Sequence, residues 1–361
     1  MNFGVPISEY KNKKIGLYGG KFLPFHKGHL NCIFEAQSLV DILFVVVGYD
    51  DVYDKSLCEN TGFEWVSSRV RERWITKELK NFKNIRVLSQ YEKRSDDYMN
   101  DDSIFDSHKE LLSKIGGKVD VVFSSEHEYE EYFAKYLPQA RHHIIDTARS
   151  AFNISATEIR KNGIFNSWNF LPPAVREHYV KRIAICGIES VGKSHLTKML
   201  AKHFETNHLE EYGRLYYDEI NGYADISESS DYADIAAGHV HLMNEASKKS
   251  NKVLMVDTDL VYTQFFHFME TGEYHELVDT MLKLKVEKID EYIFIEPHNY
   301  HELDGTRRPV TDVERQKRNN LLKSIYEMYG IKLKIVDEVD RNKRFNQCRK
   351  IVRSSIAGQT F

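Results

Sequence analysis

One stretch of sequence decides the fold of the second half of the chain: Gly187-Ile188-Glu189-Ser190-Val191-Gly192-Lys193-Ser194. It matches the phosphate-loop pattern G-x-x-x-x-G-K-[ST] at every fixed position. The preceding residues 182–186 are mostly apolar, as in a buried strand, and residues 193–204 have the pattern of an amphipathic helix. A glycine turn between a strand and a helix directs backbone N–H groups at a phosphate. We therefore predict a nucleotide-binding loop in a parallel α/β domain.

The side chains that end this loop are of the types that phosphoryl transfer needs. Lys193 is expected to reach the β- and γ-phosphates of ATP, and the Ser194 hydroxyl is expected to bind Mg²⁺. The alternative is a chance glycine turn beside a lysine. The strand before the loop and the helix after it disfavour that alternative.

Two carboxylates lie at the end of a second apolar strand, predicted at 253–257. Asp257 is predicted to hold Mg²⁺ or to bind the hydroxyls of the substrate. Asp259 is a candidate base or second substrate contact. It suits equally well the cap of a helix that begins near Leu260.

Two polar segments of the second half contain arginine. Glu211 and Arg214 belong to the motif E-Y-G-R, and residues 304–309 form the loop D-G-T-R-R-P. We predict that Arg307 lies on a lid and neutralises charge on the transferred phosphoryl group. An exposed surface turn is the alternative for this loop.

The first half has its own strand, glycine turn and helix. The turn is G-G-K-F-L-P-F-H-K-G-H, residues 19–29. His26, His29 and Lys21 would face a helix N-terminus, where they can donate hydrogen bonds to phosphate oxygens. This arrangement suits nucleotidyl transfer, which needs positioning and charge stabilisation rather than a protein nucleophile. The alternatives are a zinc pair and two core histidines, and the zinc pair is disfavoured because no third and fourth ligand follows at a recognisable spacing.

A second segment of the first half is predicted to complete this site. In Ile154-Ser155-Ala156-Thr157-Glu158-Ile159-Arg160, Ser155 and Glu158 form the pattern of a capping box that begins a short helix. We expect Ser155, Thr157 and Arg160 to grip the triphosphate from the far side of the sheet. Helix capping without a ligand is the alternative.

The chain of 361 residues is predicted to contain two doubly wound α/β domains, at residues 1–170 and 171–361. Each would contain a parallel sheet, because its apolar runs are nearly continuous and rich in β-branched residues. Besides the strands named above, we predict strands at 15–18, 42–48, 85–88, 119–124, 143–145, 292–295 and 333–336. Pro172-Pro173 marks the junction.

Composition limits the partners and the compartment. Fifty Lys+Arg against 54 Asp+Glu give a net charge of −4, which lacks the basic excess typical of nucleic-acid binding. The four cysteines are far apart, and no apolar run has the length of a signal peptide or a membrane span. We expect a cytosolic protein that binds neither nucleic acid nor membrane; a homo-oligomer is left open.

Taken in order, these motifs resemble one family. G-G-K-F-x-P-x-H-x-G-H, I-S-A-T-x-I-R, the P-loop, E-Y-G-R, S-D-Y and D-T-D are similar to the bifunctional nicotinamide-mononucleotide adenylyltransferase and ribosylnicotinamide kinase of the NadR type. The resemblance implies a Rossmann-like H-x-G-H nucleotidyltransferase that makes NAD from nicotinamide mononucleotide and ATP. It also implies a P-loop kinase that phosphorylates ribosylnicotinamide, with Mg²⁺-ATP at both sites.

The resemblance also implies the site residues. For the first site they are Gly19, Gly20, Lys21, Phe22, His26, His29, Ser124, Ser125, Glu126, Asn153, Ser155, Thr157 and Arg160. For the kinase site they are Gly187, Glu189, Ser190, Val191, Gly192, Lys193, Ser194, Glu211, Arg214, Asp257, Asp259 and Arg307. Asp231 and Tyr232 of S-D-Y are expected to border the kinase substrate, with core or surface packing as the alternative.

Two features depart from the family pattern. Some members carry an N-terminal helix-turn-helix that represses transcription, whereas only fourteen residues precede the first predicted strand here; we expect no DNA-binding repressor. The residue that stacks on nicotinamide is sought among Tyr91, Tyr98 and Phe105. Trp74 is a further candidate, for which a buried core tryptophan is the alternative.

Two other functions are consistent with these motifs. One is a different nucleotidyltransferase, such as the pantetheine-phosphate type, fused to a nucleoside kinase, because H-x-G-H fixes the reaction and not the acceptor. The other is a nucleotide-sensing regulator with little turnover. The intact set of predicted catalytic residues argues against the regulator.

Overall fold

The computed structural model describes residue 10 and residues 12–93, 102–146, 151–219, 228–298 and 311–357. These residues form two compact units, one ending at His178 and the other extending from Tyr179 to Ala357. Tyr98 and Arg307, two of the predicted site residues, lie outside the described residues. None of the described helices is both long and apolar enough to span a membrane.

The first unit is built on one parallel sheet. Its described strands are β1 (Ile15–Gly20), β2 (Ile42–Tyr49), β3 (Ile85–Tyr91), β4 (Val121–Ser124) and β5 (Arg141–Ile144). Its described helices are α1 (Lys27–Ser38), α2 (Asp51–Ser56), α3 (Ser68–Glu78), α4 (Asp102–Lys114), α5 (Tyr129–Tyr136) and α6 (Ala156–Asn162), followed by a 3-10 helix at Trp168–Phe170 and by α7 (Pro173–Tyr179). The strand order β3-β2-β1-β4-β5 places β1 at the centre.

The order of these strands positions the first site. From β1 the chain proceeds to β2 and β3 on one side of the sheet and to β4 and β5 on the other. β2 is buried from Ile42 to Gly48, so both of its faces are covered, as its continuous apolar sequence predicts. The crevice at the carboxyl ends of β1 and β4 is therefore a topological switch point, where open α/β sheets bind ligands.

The second unit is also a parallel sheet with helices. Its described strands are β6 (Lys181–Cys186), β7 (His208–Leu209), β8 (Val253–Asp257), β9 (Glu291–Ile295) and β10 (Leu333–Val336). Its described helices are α8 (Lys193–His203), α9 (Tyr212–Asp218), α10 (Ser229–Lys248), α11 (Leu260–Thr271), α12 (Glu276–Lys283), α13 (Asp312–Met328) and α14 (Arg341–Ile356). In the order β10-β9-β6-β8-β7, β6 is central and the phosphate loop follows it.

The core of the second unit explains why β6 is fixed so firmly. Ile183 and Ile185 of β6, Met255 of β8 and Ile293 of β9 are fully buried in one apolar cluster. Burial of such side chains contributes about 1.5–3 kcal/mol each. The loop after β6 therefore starts from a rigid strand.

The predicted fold class is confirmed, and the differences are local. β5 begins at Arg141, two residues before the predicted strand, because its polar, half-exposed residues hide its start. β7 was not predicted, since two residues are too short to show a periodic pattern.

Candidate active sites

The two histidines of the first site cap a helix. His26 is the N-cap residue of α1; its Nδ1 accepts a hydrogen bond from the His29 N–H at 3.4 Å, and His29 Nδ1 accepts one from the His26 N–H at 3.3 Å. The two rings stack with their centroids 3.6 Å apart. A neutral imidazole that accepts through Nδ1 carries its proton on Nε2. Both rings therefore have an Nε2–H donor at the positive end of a helix.

Glycine between the histidines leaves room for the His26 ring. A Cβ atom on Gly28 would lie 3.0 Å from the His26 ring. On the strand side, a Cβ on Gly19 would meet nothing within 4 Å, so the end of β1 is open, whereas one on Gly20 would lie 3.2 Å from the Phe22 ring. The Phe22 ring in turn packs edge-on against His29, with centroids 5.0 Å apart. The turn thus holds both imidazoles by packing as well as by capping.

A buried ion pair holds Lys21. Lys21 Nζ lies 3.0 Å from Asp54 Oδ1, while the Arg71 guanidinium donates to Asp54 Oδ2 at 2.7 Å and to the Lys21 carbonyl at 2.7 Å. The side chains of Asp54 and Arg71 are 0% exposed, and the Tyr53 ring lies 4.6 Å from the Lys21 ammonium. Two cations share one anion, so the cluster keeps a net positive charge. No sequence motif signalled Asp54 or Arg71.

The capping segment 154–160 docks against the same turn. Ser155 caps α6 and forms the predicted capping box with Glu158. Arg160 donates to the Leu23 carbonyl at 2.6 Å and to Thr157 Oγ1 at 3.0 Å, and burial lowers the pKa of Arg160. The structure therefore brings together two motifs that are far apart in sequence. The sequence predicts that Arg160 contacts phosphate. The geometry instead favours a role in connecting the two motifs.

The other predicted residues of the first site lie at the ends of β4 and before α6. Ser124 Oγ lies 2.7 Å from His142 Nε2, and burial lowers the pKa of His142, which favours the neutral ring. Ser125 Oγ lies 3.5 Å from Cys32 Sγ on α1. Glu126 and Asn153 are exposed.

The candidates for stacking on nicotinamide differ in exposure. Trp74 is 4% exposed and packs against the His178 ring, which supports the core alternative over substrate contact. Tyr91 and Phe105 are exposed. The prediction for Tyr98 falls outside the described residues.

The phosphate loop of the second unit is strained and braced. Gly187, Ser190 and Gly192 have φ of 135°, 59° and 87°. A Cβ on Gly187 would lie 2.7 Å from the Ile295 carbonyl oxygen, so only glycine fits. From outside, Arg318 of α13 donates to Glu189 Oε1 at 3.3 Å and Arg344 of α14 donates to the Val191 carbonyl at 3.0 Å. Glu189 thus pairs with an arginine that sequence reasoning missed.

Lys193 is folded back onto the loop. Its Nζ donates to the Ile188 carbonyl at 2.9 Å and lies 4.5 Å from the centroid of the Tyr262 ring, with the Tyr262 hydroxyl at 3.4 Å. Ser194 is adjacent in the first turn of α8. These contacts hold the ammonium at the loop. The contact with Tyr262 was not predicted, because Tyr262 belongs to no recognised motif.

Asp257 is the buried carboxylate of this site. It ends β8, and its Oδ1 is buried without a hydrogen-bond partner among the described residues. Burial raises the pKa of Asp257, while Lys193 and the Ser194 hydroxyl oppose that rise. An orphaned carboxylate oxygen beside a serine hydroxyl and a lysine fits a hard cation that also binds phosphate. Among the described residues, no cluster of three or more His, Cys, Asp and Glu is arranged to hold a metal.

Asp259 faces away from this chemistry. Its Oδ1 accepts from the Tyr262 N–H at 2.9 Å, and its Oδ2 accepts from the Tyr326 hydroxyl at 2.7 Å and the Cys186 thiol at 3.3 Å. Burial, followed by the nearby Glu287, raises the pKa of Asp259 to about 6. With both oxygens occupied in the core, the role of base or substrate contact is not supported. The helix-capping alternative describes this residue.

The remaining predicted substrate contacts have different surroundings. Glu211 and Arg214 pair at 3.3 Å; the charge of Glu211 raises the pKa of Asp257 and that of Arg214 lowers it, both less than burial raises it. Asp231 accepts from the Tyr216 hydroxyl at 3.0 Å and, within the first turn of α10, from the backbone N–H of the N-cap residue Glu228 at 2.9 Å. Tyr232 is buried against the His267 ring, so core packing describes it.

Two family models match this chain, one in each of the two units. Residues 17–162 match the cytidylyltransferase-like family and residues 182–344 match an AAA domain. The chain is 32% identical over 357 residues to the trifunctional NAD biosynthesis/regulator protein NadR of Escherichia coli (strain K12), across 97% of this chain and 85% of that protein.

Two crystal structures share the fold over nearly the whole chain. NadR protein in complex with NR has a TM-score of 0.76 at 22% identity, covering 96% of this chain and 97% of the other. NadR protein in complex with NAD and AMP-PNP has a TM-score of 0.75 at 22% identity, covering 97% of this chain and 98% of the other.

Fold and sites define the class: a protein with a nucleotidyltransferase-type unit followed by a P-loop unit. Within that class, the sequence identity to the Escherichia coli relative and the coverage of both chains show the family. The chain belongs to the NadR family.

Replacing Gly187 by alanine is expected to lower the free energy of unfolding of the second unit by about 1–3 kcal/mol, because the new methyl group meets the Ile295 carbonyl oxygen. All 3 tryptophans, Trp65, Trp74 and Trp168, lie in the first unit. Unfolding of the second unit in urea is therefore measured as the transition that circular dichroism detects and tryptophan fluorescence does not. Gly213→Ala, whose Cβ would make ordinary contacts of 3.7 Å, is the control.

Replacing Asp54 by asparagine is expected to destabilise the first unit by about 3–5 kcal/mol, since it leaves the Arg71 guanidinium buried without its counterion. Urea unfolding followed by tryptophan fluorescence measures this change. The exposed pair of Glu110 and Lys114 provides the control, where Glu110→Gln should change stability by about 0.5 kcal/mol or less. Equal effects of the two substitutions would contradict the importance given to the buried pair.

Proposed function

We propose that this protein is a bifunctional enzyme of NAD biosynthesis. One site phosphorylates ribosylnicotinamide with ATP to nicotinamide mononucleotide, and the other transfers an adenylyl group from ATP to nicotinamide mononucleotide, releasing pyrophosphate and forming NAD. The observation that carries the proposal is the presence of two complete phosphate-binding turns, each at a sheet switch point, in one chain of the NadR family. The NadR complexes with NR, NAD and AMP-PNP support the choice of substrates.

We assign adenylyl transfer to residues 1–170. The phosphate of nicotinamide mononucleotide attacks the α-phosphate of ATP, and the bond to the departing pyrophosphate breaks. The Nε2–H donors of His26 and His29 and the ammonium of Lys21 stabilise the charge that develops on the phosphate oxygens. The nucleophile is already an anion, so no protein base is needed.

We assign the kinase to residues 171–361. The amides of the loop and Lys193 bind the β- and γ-phosphates of ATP. A hydroxyl of ribosylnicotinamide attacks the γ-phosphorus, the bond from that phosphorus to the oxygen bridging to the β-phosphate breaks, ADP leaves, and the hydroxyl proton is released to solvent. When bound, Mg²⁺ neutralises the phosphates, and Ser194 and Asp257 are the residues that would hold it. Glu211 and Arg214, whose charges act on Asp257, help to order the pocket. Arg307 remains a prediction, because it lies outside the described residues.

The test incubates purified protein with Mg²⁺-ATP and either ribosylnicotinamide or nicotinamide mononucleotide, and follows the products by mass. Mononucleotide from the first mixture and NAD from the second are expected. NAD alone would mean that the P-loop unit acts on another nucleoside. Nucleotide binding without either product would favour a regulator, and product from pantetheine phosphate would identify a different acceptor.

The two activities should be separable by substitution. His29→Ala is expected to lower NAD formation about 10²–10³-fold, the typical cost of removing one donor to developing charge, and to leave the kinase unchanged. Lys193→Ala should do the reverse. Each variant thus controls for the folding of the other. Loss of both activities in either folded variant would overturn the assignment of two independent sites.

A further inference from the structure

Asp259 lies where three parts of the second unit meet. It precedes α11, whose Tyr262 N–H donates to its Oδ1. Its Oδ2 accepts from Cys186, the last residue of β6, and from Tyr326 of α13. The residue is 2% exposed. One carboxylate thus connects the strand before the phosphate loop, the helix after Asp257, and α13.

The backbone between Asp257 and Asp259 is strained. Thr258 has φ of 68°, a left-handed conformation that is rare for a β-branched residue. This conformation allows Asp257 to approach Lys193 and Ser194 while Asp259 enters the core. Strained residues persist only where the surroundings hold them in place. The three hydrogen bonds to Asp259 supply that restraint on one side, and the Thr258 N–H supplies another by donating to the Ile185 carbonyl at 3.3 Å.

A second connection leads to the phosphate-binding lysine. Tyr262 receives its cap from Asp259, and its ring and hydroxyl contact Lys193 Nζ. The start of α11 is further held by Glu287, which accepts from the Leu260 N–H at 3.1 Å and pairs with His239 at 2.8 Å. Glu287 and His239 are buried as well. The first turn of α11 is therefore anchored by two buried carboxylates.

We propose that Asp259 is a positioning residue of the kinase site: it holds Asp257 and Tyr262, and through Tyr262 also Lys193, in the geometry that binds nucleotide, and it takes no proton from the substrate. Both of its oxygens already accept hydrogen bonds in the core, so neither is directed at a substrate hydroxyl. The inference rests on the proposed kinase function. It also explains why two aspartates separated by one residue differ so completely in surroundings.

The test compares Asp259→Asn with Tyr326→Phe. Asparagine keeps the acceptor for the Tyr262 N–H but turns the other acceptor into a donor that faces the Tyr326 hydroxyl and the Cys186 thiol. Phenylalanine at position 326 removes only the hydroxyl that donates to Asp259 Oδ2. The matched control is Tyr329→Phe on the same stretch of chain, since the Tyr329 hydroxyl donates to a different carboxylate, Asp279, at 2.9 Å.

Two quantities are measured on the full chain: the Kd for AMP-PNP with Mg²⁺ by calorimetry, and the kcat and KM of ribosylnicotinamide phosphorylation. Both test variants are expected to bind AMP-PNP about tenfold more weakly and to lose about 10–100-fold in kcat, typical of outer partners that orient a ligand-binding residue. Tyr329→Phe should stay within about twofold in both quantities. Adenylyl transfer should be unchanged in all three variants, and circular dichroism should show that each second unit is folded.

Other outcomes decide against the proposal. If Asp259→Asn abolishes phosphorylation while Tyr326→Phe and all AMP-PNP affinities match the parent protein, Asp259 is a catalytic base. If both variants match the parent in both quantities, Asp259 only stabilises the fold. The same conclusion follows if only the fraction of active protein falls while Kd and KM stay unchanged. If Asp259→Asn fails to fold, Tyr326→Phe alone decides. A parent protein that binds AMP-PNP without phosphorylating ribosylnicotinamide would contradict the proposed function, and the AMP-PNP affinities would still test the positioning role.

Discussion

The burial of an ionisable side chain directly beside a phosphate-binding turn is the constraint on which both sites depend. In the first unit, Asp54 and Arg71 are buried together and hold the backbone and side chain of Lys21. In the second, Asp259 is buried with its oxygens shared between β6, α11 and α13. A buried charge without partners costs several kcal/mol, so each group tolerates only the geometry that supplies its partners. Each turn is thereby fixed before a nucleotide arrives.

The phosphate-binding turns could be predicted from the sequence, because their chemistry is local. The loop at 187–194 and the turn at 19–29 each combine glycines, a lysine and a helix start within a dozen residues. The capping box of Ser155 and Glu158 is local in the same sense, and it forms as predicted. The strands could be predicted for a related reason: burial on both faces leaves continuous apolar runs.

The partners of these turns could not be predicted, because they come from distant parts of the chain. Arg71 reaches Lys21 across 50 positions of sequence, and Arg318 reaches Glu189 across 129. The roles of Asp257 and Asp259 also could not be separated, since the motif D-T-D does not show that Thr258 adopts positive φ. That single backbone torsion sends one carboxylate to the phosphate loop and the other into the core.

The charges at the two sites differ in a way that fits two kinds of acceptor. A phosphate nucleophile and the triphosphate of ATP are both anions, so an uncompensated carboxylate between them would repel both. At the first site the buried carboxylate, Asp54, is paired with two cations, and the two histidines present neutral Nε2–H donors. A hydroxyl nucleophile is uncharged and needs an anion to orient it or to hold the metal that orients ATP. The second site provides that anion in Asp257, whose Oδ1 has no hydrogen-bond partner among the described residues. The charge of the first site thus suits adenylyl transfer to a phosphate, and the charge of the second suits phosphoryl transfer to a nucleoside.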